Sequence, residues 1–127
     1  MNTRQRALLY LTYLLAYTDG EFDDHEEHGI KYICKEEGIP DDEYQKFMAN
    51  CEESSERELF ESGVDLVEEC SYEDKIAIFV WLYKLAEVDG QVHAKEVRFL
   101  LYSLRRASID FDEVKKMAQA MPAIPTS

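Results

Sequence analysis

Ala16-Tyr17-Thr18-Asp19-Gly20-Glu21-Phe22-Asp23-Asp24-His25-Glu26 returns seventy residues later as Ala86-Glu87-Val88-Asp89-Gly90-Gln91-Val92-His93-Ala94-Lys95-Glu96. Both stretches read Ala-x-x-Asp-Gly-x-apolar-x-x-x-Glu, and both follow an apolar segment. Sliding the chain over itself at this offset aligns residues 7–51 with 77–121 without a gap. Besides the motif residues, Ala7/Ala77, Tyr13/Tyr83, Leu15/Leu85, Tyr32/Tyr102, Ile39/Ile109, Asp42/Asp112, Glu43/Glu113 and Lys46/Lys116 are identical. The chain is therefore a duplication, and each Asp-Gly is a junction between two helices.

Outward from the junctions, each copy reads as three helices. The first, over about 4–18 and 74–88, is apolar on nearly every face, as a helix at the centre of a core must be. The second, over about 24–37 and 94–107, carries Val97, Leu100, Leu101 and Leu104 at i, i+3, i+4 and i+7, with Ile30, Ile33 and Cys34 as counterparts. Gly38-Ile39-Pro40 stops that helix in the first copy, Ser108-Ile109-Asp110 in the second. The third helix spans about 41–51 and 111–120. Between the copies, Ser54-Ser55-Glu56 caps a connecting helix over 56–70 whose stripe is Leu59, Gly63, Leu66, Val67 and Cys70. The expectation is an all-α fold of seven helices, packed as one domain over 1–127 with pseudo-twofold symmetry. No alternating strand pattern competes with it.

Of 127 residues, 46% are apolar, enough for a single core. The net charge is −13, and residues 20–70 hold eighteen Asp and Glu against four Lys and Arg. Such a field repels phosphate backbones and anionic lipid, which rules against nucleic acid and direct membrane insertion and leaves cations or basic protein surfaces as partners. Three cysteines, Cys34, Cys51 and Cys70, lack metal-knuckle spacing and are odd in number, which predicts a reducing, cytoplasmic setting, and Cys34 and Cys70 lie on apolar stripes as small core residues. Residues 4–17 imitate a secretory leader, but the same kind of segment recurs internally at 77–88, so we expect a core helix there.

Glycine at each junction suits the left-handed residue that ends a helix, and Glu26 and Glu96 suit the third position of the next helix as the distal half of a capping box, with Asp23 and His93 as caps and Phe22 and Val92 as buried plugs. The aspartates are not explained this way: a negative charge at the carboxyl end of a helix opposes the macrodipole at about 0.3–1 kcal/mol, twice over. A cation nearby offsets that cost. Asp19, Gly20, Phe22 and Glu26 match the second half of an EF-hand loop, yet Leu15 and Tyr17 stand where its first oxygen ligands belong. Three readings stay open: helix connectors alone, a degenerate EF-hand, and one pooled oxygen site of Asp19, Glu26, Asp89 and Glu96 for Ca²⁺ or Mg²⁺. His25 and His28 form a weaker pair for Zn²⁺ or Ni²⁺, answered by Lys95 and Arg98 in the second copy. No nucleophile elbow, phosphate loop or dinucleotide fingerprint occurs, so no enzyme is expected.

The paired motif resembles the TerB-like family, named for the tellurite resistance protein TerB and including the amino-terminal domain of a membrane-anchored DnaJ-type co-chaperone. The resemblance covers about residues 7–121. It implies an all-helical duplicated domain, an intracellular location, an acidic metal site at Asp19, Glu26, Asp89 and Glu96, and a protein partner in stress response or assembly at the inner membrane face. The sequence departs from the pattern in the second copy, where His93 stands in place of a Ser, Thr or Asp cap and Ala94 and Lys95 make the copy much less acidic than the first. Against the metal-binding module stands a purely structural interaction domain whose acidic surface meets a basic partner.

Overall fold

In the computed structural model, residues 1–16, 24–88 and 94–124 are described, apart from the side chains of His25 and of residues 94–99. They form α1 (Thr3–Ala16), α2 (Asp24–Glu36), α3 (Asp41–Glu52), α4 (Glu56–Glu68), α5 (Tyr72–Ala86), α6 (Ala94–Ala107) and α7 (Phe111–Ala120), with no strand among the described residues. The all-α expectation of seven helices holds.

Local sequence explains most boundaries. Ser55 accepts a hydrogen bond from the Glu58 amide and donates to its carboxylate, so the predicted cap of α4 closes as a side-chain and backbone pair. Gly38 ends α2 with φ 72°, the left-handed residue anticipated from the Gly-Pro stop, and Ser108 takes the equivalent place with φ 59°. The first helix of the second copy starts at Tyr72, two residues before the sequence estimate, because the Ser71 hydroxyl accepts from the Asp74 amide. It ends at Ala86, and Glu87 and Val88 form the turn that follows.

The two apolar helices are central, as their composition requires. α1 packs against α4, α5 and α3, while α5 packs against α7, α1, α6 and α2. Leu8, Leu9, Leu11 and Leu15 of α1 and Ile78, Phe79 and Leu82 of α5 are among the largest fully buried side chains. Each buried side chain of this size contributes about 1.5–3 kcal/mol of hydrophobic stabilisation. Gly63 allows α4 to lie close on α1: a Cβ there would sit 3.0 Å from Cβ of Tyr10 and 3.2 Å from Cδ2 of Leu11. Val64, absent from the expected α4 stripe, is buried, whereas Leu66 and Cys70 are only half-buried. Cys34 and Cys51 are buried and all three thiols are free.

At the base of the bundle, the Arg4 guanidinium donates to both carboxylate oxygens of Glu37, at 2.8 and 2.9 Å, and to Asp74 at 3.0 Å. Arg4 and Asp74 occupy the same position in the two copies, so the starts of the two apolar helices meet there. Burial works against the guanidinium charge, but the hydrogen bonds and charges of Glu37 and Asp74 outweigh it and its pKa is raised.

Candidate functional site at the helix junctions

The junction ends of α1 and α5 bury Leu14, Leu15 and Ala16 on one and Leu85, Ala86 and Val88 on the other. α2 leaves the first junction with Asp24, Glu26 and Glu27 in its first turn, where acidic side chains complement the positive end of the helix. Asp24 and His28 are exposed, and Glu27 pairs with Lys31 at 3.5 Å on the outer face. Glu26 is half-buried, with its Oε2 atom shielded from solvent.

The inner face of α2 crosses α5 in a defined register. Tyr32 meets the edge of Trp81, ring centroids 6.3 Å apart. One turn earlier, Gly29 lies so close to α5 that a Cβ would come within 2.8 Å of Leu85 Cδ1 and 3.3 Å of Val88 Cγ2. Moving toward the start of α2 therefore means moving toward the end of α5, an antiparallel arrangement. Glu26 lies one further turn along the same face as Gly29, since residues three apart share a helix face. Val88 immediately precedes Asp89 in the chain.

Of the four predicted ligands, Glu26 alone has a described side chain. Asp19 and Asp89 lie outside the described residues, as do the two junction glycines, the caps Asp23 and His93, and the plugs Phe22 and Val92; Glu96 belongs to α6, its side chain outside the description. The His25 half of the histidine pair is likewise outside it. Among the described residues, no three His, Cys, Asp or Glu side chains group as a metal-ligand set.

A duplicated helical core, with its Asp-Gly motif at the start of α2 and of α6, is the arrangement a family comparison can decide. The family model for tellurite resistance protein TerB matches residues 5–116. The chain belongs to the TerB family. Comparison with curated proteins and with solved structures finds no match. TerB domains are not generally a catalytic family, and no described helix is long and apolar enough to cross a membrane.

Two features around this TerB junction escape sequence reasoning. Lys84, on the buried face of α5, is only 5% exposed, and its Nζ donates to the Met121 carbonyl at 2.9 Å, with Glu87 at 3.9 Å. Ile124, beyond α7, is buried against α2 and lies 3.9 Å from the Cβ position of Gly29. A lysine within an otherwise apolar helix, where the first copy has Leu14, was the available signal for the first. None marked Ile124. The thiols offer no chemistry here: burial, together with Asp41, pushes Cys34 up to about 11, and burial with Glu52 pushes Cys51 to about 12.

A wider groove of about 630 Å³ lies between α4 and α6, lined by Leu14, Ser55, Glu56, Arg57, Phe60 and Tyr102. The Phe60 and Tyr102 rings meet at a centroid distance of 5.5 Å, tilted by 40°, and Tyr102 is 56% exposed.

Proposed function

We propose that this TerB-family chain is a non-enzymatic module that holds one divalent cation at a site pooled from Asp19, Glu26, Asp89 and Glu96. The observation that carries this reading is the register of α2 on α5. It runs the first turn of α2, with Glu26, toward the end of α5, and so supports a site shared between the two copies over two separate ones. The donor set is all carboxylate, which suits Ca²⁺ or Mg²⁺ rather than softer metals. Such an ion offsets the repulsion between each aspartate and the negative end of its preceding helix. It also couples the two halves of the duplication through one ligand.

A protein partner completes the reading. The exposed aromatic groove between α4 and α6, with Glu56 on its rim, supports docking of a basic segment carrying an apolar anchor. The cytoplasm suits three free thiols, and a stress-response setting follows the family's description as a tellurite resistance protein. Titration with Ca²⁺, Mg²⁺ or Mn²⁺ under thermal denaturation tests the metal. A midpoint that climbs with metal in the native protein and stays fixed in Asp89→Ala supports it; no response at millimolar metal removes it and leaves the purely structural interaction domain.

A further inference from the structure

We infer that the segment from Met121 to Ile124 is a latch that positions the first half of α2, and with it Glu26, against the end of α5. The two ends of α2 are held by different means. Its last turn is fixed by side chains of α1, through the Arg4 fork on the Glu37 carboxylate and a 2.8 Å bond from the Gln5 amide to the Glu37 carbonyl. In its first half, Leu85 and Val88 of α5 and Ile124 beyond α7 gather around the bare Cα of Gly29.

The latch is anchored where it leaves α7. An ammonium withdrawn from water is costly unless it finds acceptors, and Lys84 spends its buried charge on a backbone carbonyl of this segment. That bond places Met121 beside the last turn of α5. Three residues later the chain reaches Ile124, at the level of Val88 and Gly29, so the segment runs along α5 toward the junction and ends wedged between α5 and α2. In the first copy the corresponding residues 51–54 lead into α4, which covers α1. In the second copy this short segment covers α5 instead, and Leu14 replaces Lys84 where no such anchor is needed. The lysine and the segment it holds thus belong together.

The consequence for Glu26 rests on the proposed metal site; the latch itself does not. Hydrogen exchange of the full chain in EDTA tests the latch alone, because amides protected by a local contact exchange faster when only that contact is lost. In Ile124→Ala and in Lys84→Met, amides of residues 24–31 should exchange at least about tenfold faster while those of 32–36 and α1 keep their rates. Ile124→Val should restore the native pattern, and Leu59→Ala, a core truncation in α4, should leave 24–31 no more affected than the rest. Unchanged exchange at 24–31, or acceleration spread evenly over all helices, overturns the latch. Ca²⁺ titration of the same proteins then separates the two claims. Weaker Ca²⁺ binding in Ile124→Ala supports the positioning of Glu26, and equal binding overturns it. If the native protein binds no Ca²⁺, the metal reading fails, and the EDTA exchange pattern still decides the latch.

Discussion

Replacing Arg4 by Met removes the ties that join the starts of α1 and α5 to the end of α2, while keeping much of the side chain's apolar stem. Three charge-assisted hydrogen bonds are lost, two to Glu37 and one to Asp74. The Arg4 and Asp74 side chains are 32% and 39% exposed, so solvent screening holds their bond to a few tenths of a kcal/mol. Glu37 is only 13% exposed, and the two-pronged bond to it should be worth about 1 kcal/mol, with a further penalty of about 0.5–1 kcal/mol for a carboxylate left half-desolvated without its cation. The sum is about 2 kcal/mol. For a domain of this size each kcal/mol moves the thermal midpoint by roughly 3–5 °C, so Arg4→Met should melt about 6–10 °C lower by far-ultraviolet circular dichroism. Glu37→Gln should lose less, and the double variant should reveal a coupling of about 1 kcal/mol between the two positions. A loss under about 0.5 kcal/mol, or strictly additive variants, would refute the claim that this fork fixes the end of α2.

Other perturbations act on separate parts of the fold. Gly63→Ala gains about 1 kcal/mol of helix propensity but places a methyl 3.0 Å from Cβ of Tyr10, an atom fixed to the α1 backbone; overpacking of about 1–3 kcal/mol should win, lowering the urea midpoint, and a raised midpoint would show that α4 is free to slide on α1. Cys34 and Cys51, protonated to about 11 and 12 in the folded chain but near 9.0 when unfolded, make the unfolded state the better acid. Their contribution to stability is complete below pH 9.0 and is lost as pH rises through 11–12, so Cys51→Ala should flatten the alkaline fall in stability measured by urea denaturation at stepped pH. The same two thiols should react with a disulfide reagent only as fast as the chain unfolds, and rapid labelling of the native protein would contradict their burial.

How far the sequence could be read depended on the range of the interaction. Helix existence is a periodic, local property, and α6 and α7 fall on Ala94–Ala107 and Phe111–Ala120 as expected from apolar spacing and the break at Ser108-Ile109-Asp110. α5 starts two residues before its apolar pattern does because Ser71 caps it, a local signal that lies outside hydrophobic periodicity. The partners of Lys84 and Ile124 are illegible for a different reason. The first is a charge whose acceptor is a backbone carbonyl thirty-seven residues away, and the second is one apolar residue after the last helix, whose partner is a glycine on α2. No spacing rule encodes contacts of that range. At the candidate site, motif repetition singles out Asp19, Glu26, Asp89 and Glu96 as candidate ligands, and the register of α2 on α5 adds what one-dimensional spacing lacked, the direction in which Glu26 lies.

That direction makes the shared cation the central claim, and ligand-linked stability is its most direct measure. A cation bound only by the folded state raises stability with concentration, by about 2.7 kcal/mol at a hundred times its dissociation constant. Thermal denaturation of the native chain, Glu26→Gln and Asp89→Ala, each in EDTA and in rising Ca²⁺, should show a midpoint that climbs with Ca²⁺ in the native protein and much less in either variant, because each copy supplies part of one site. A climb abolished by Asp89→Ala but untouched by Glu26→Gln would contradict a site shared across the copies, and a native midpoint that ignores millimolar Ca²⁺, Mg²⁺ and Mn²⁺ would contradict the site altogether.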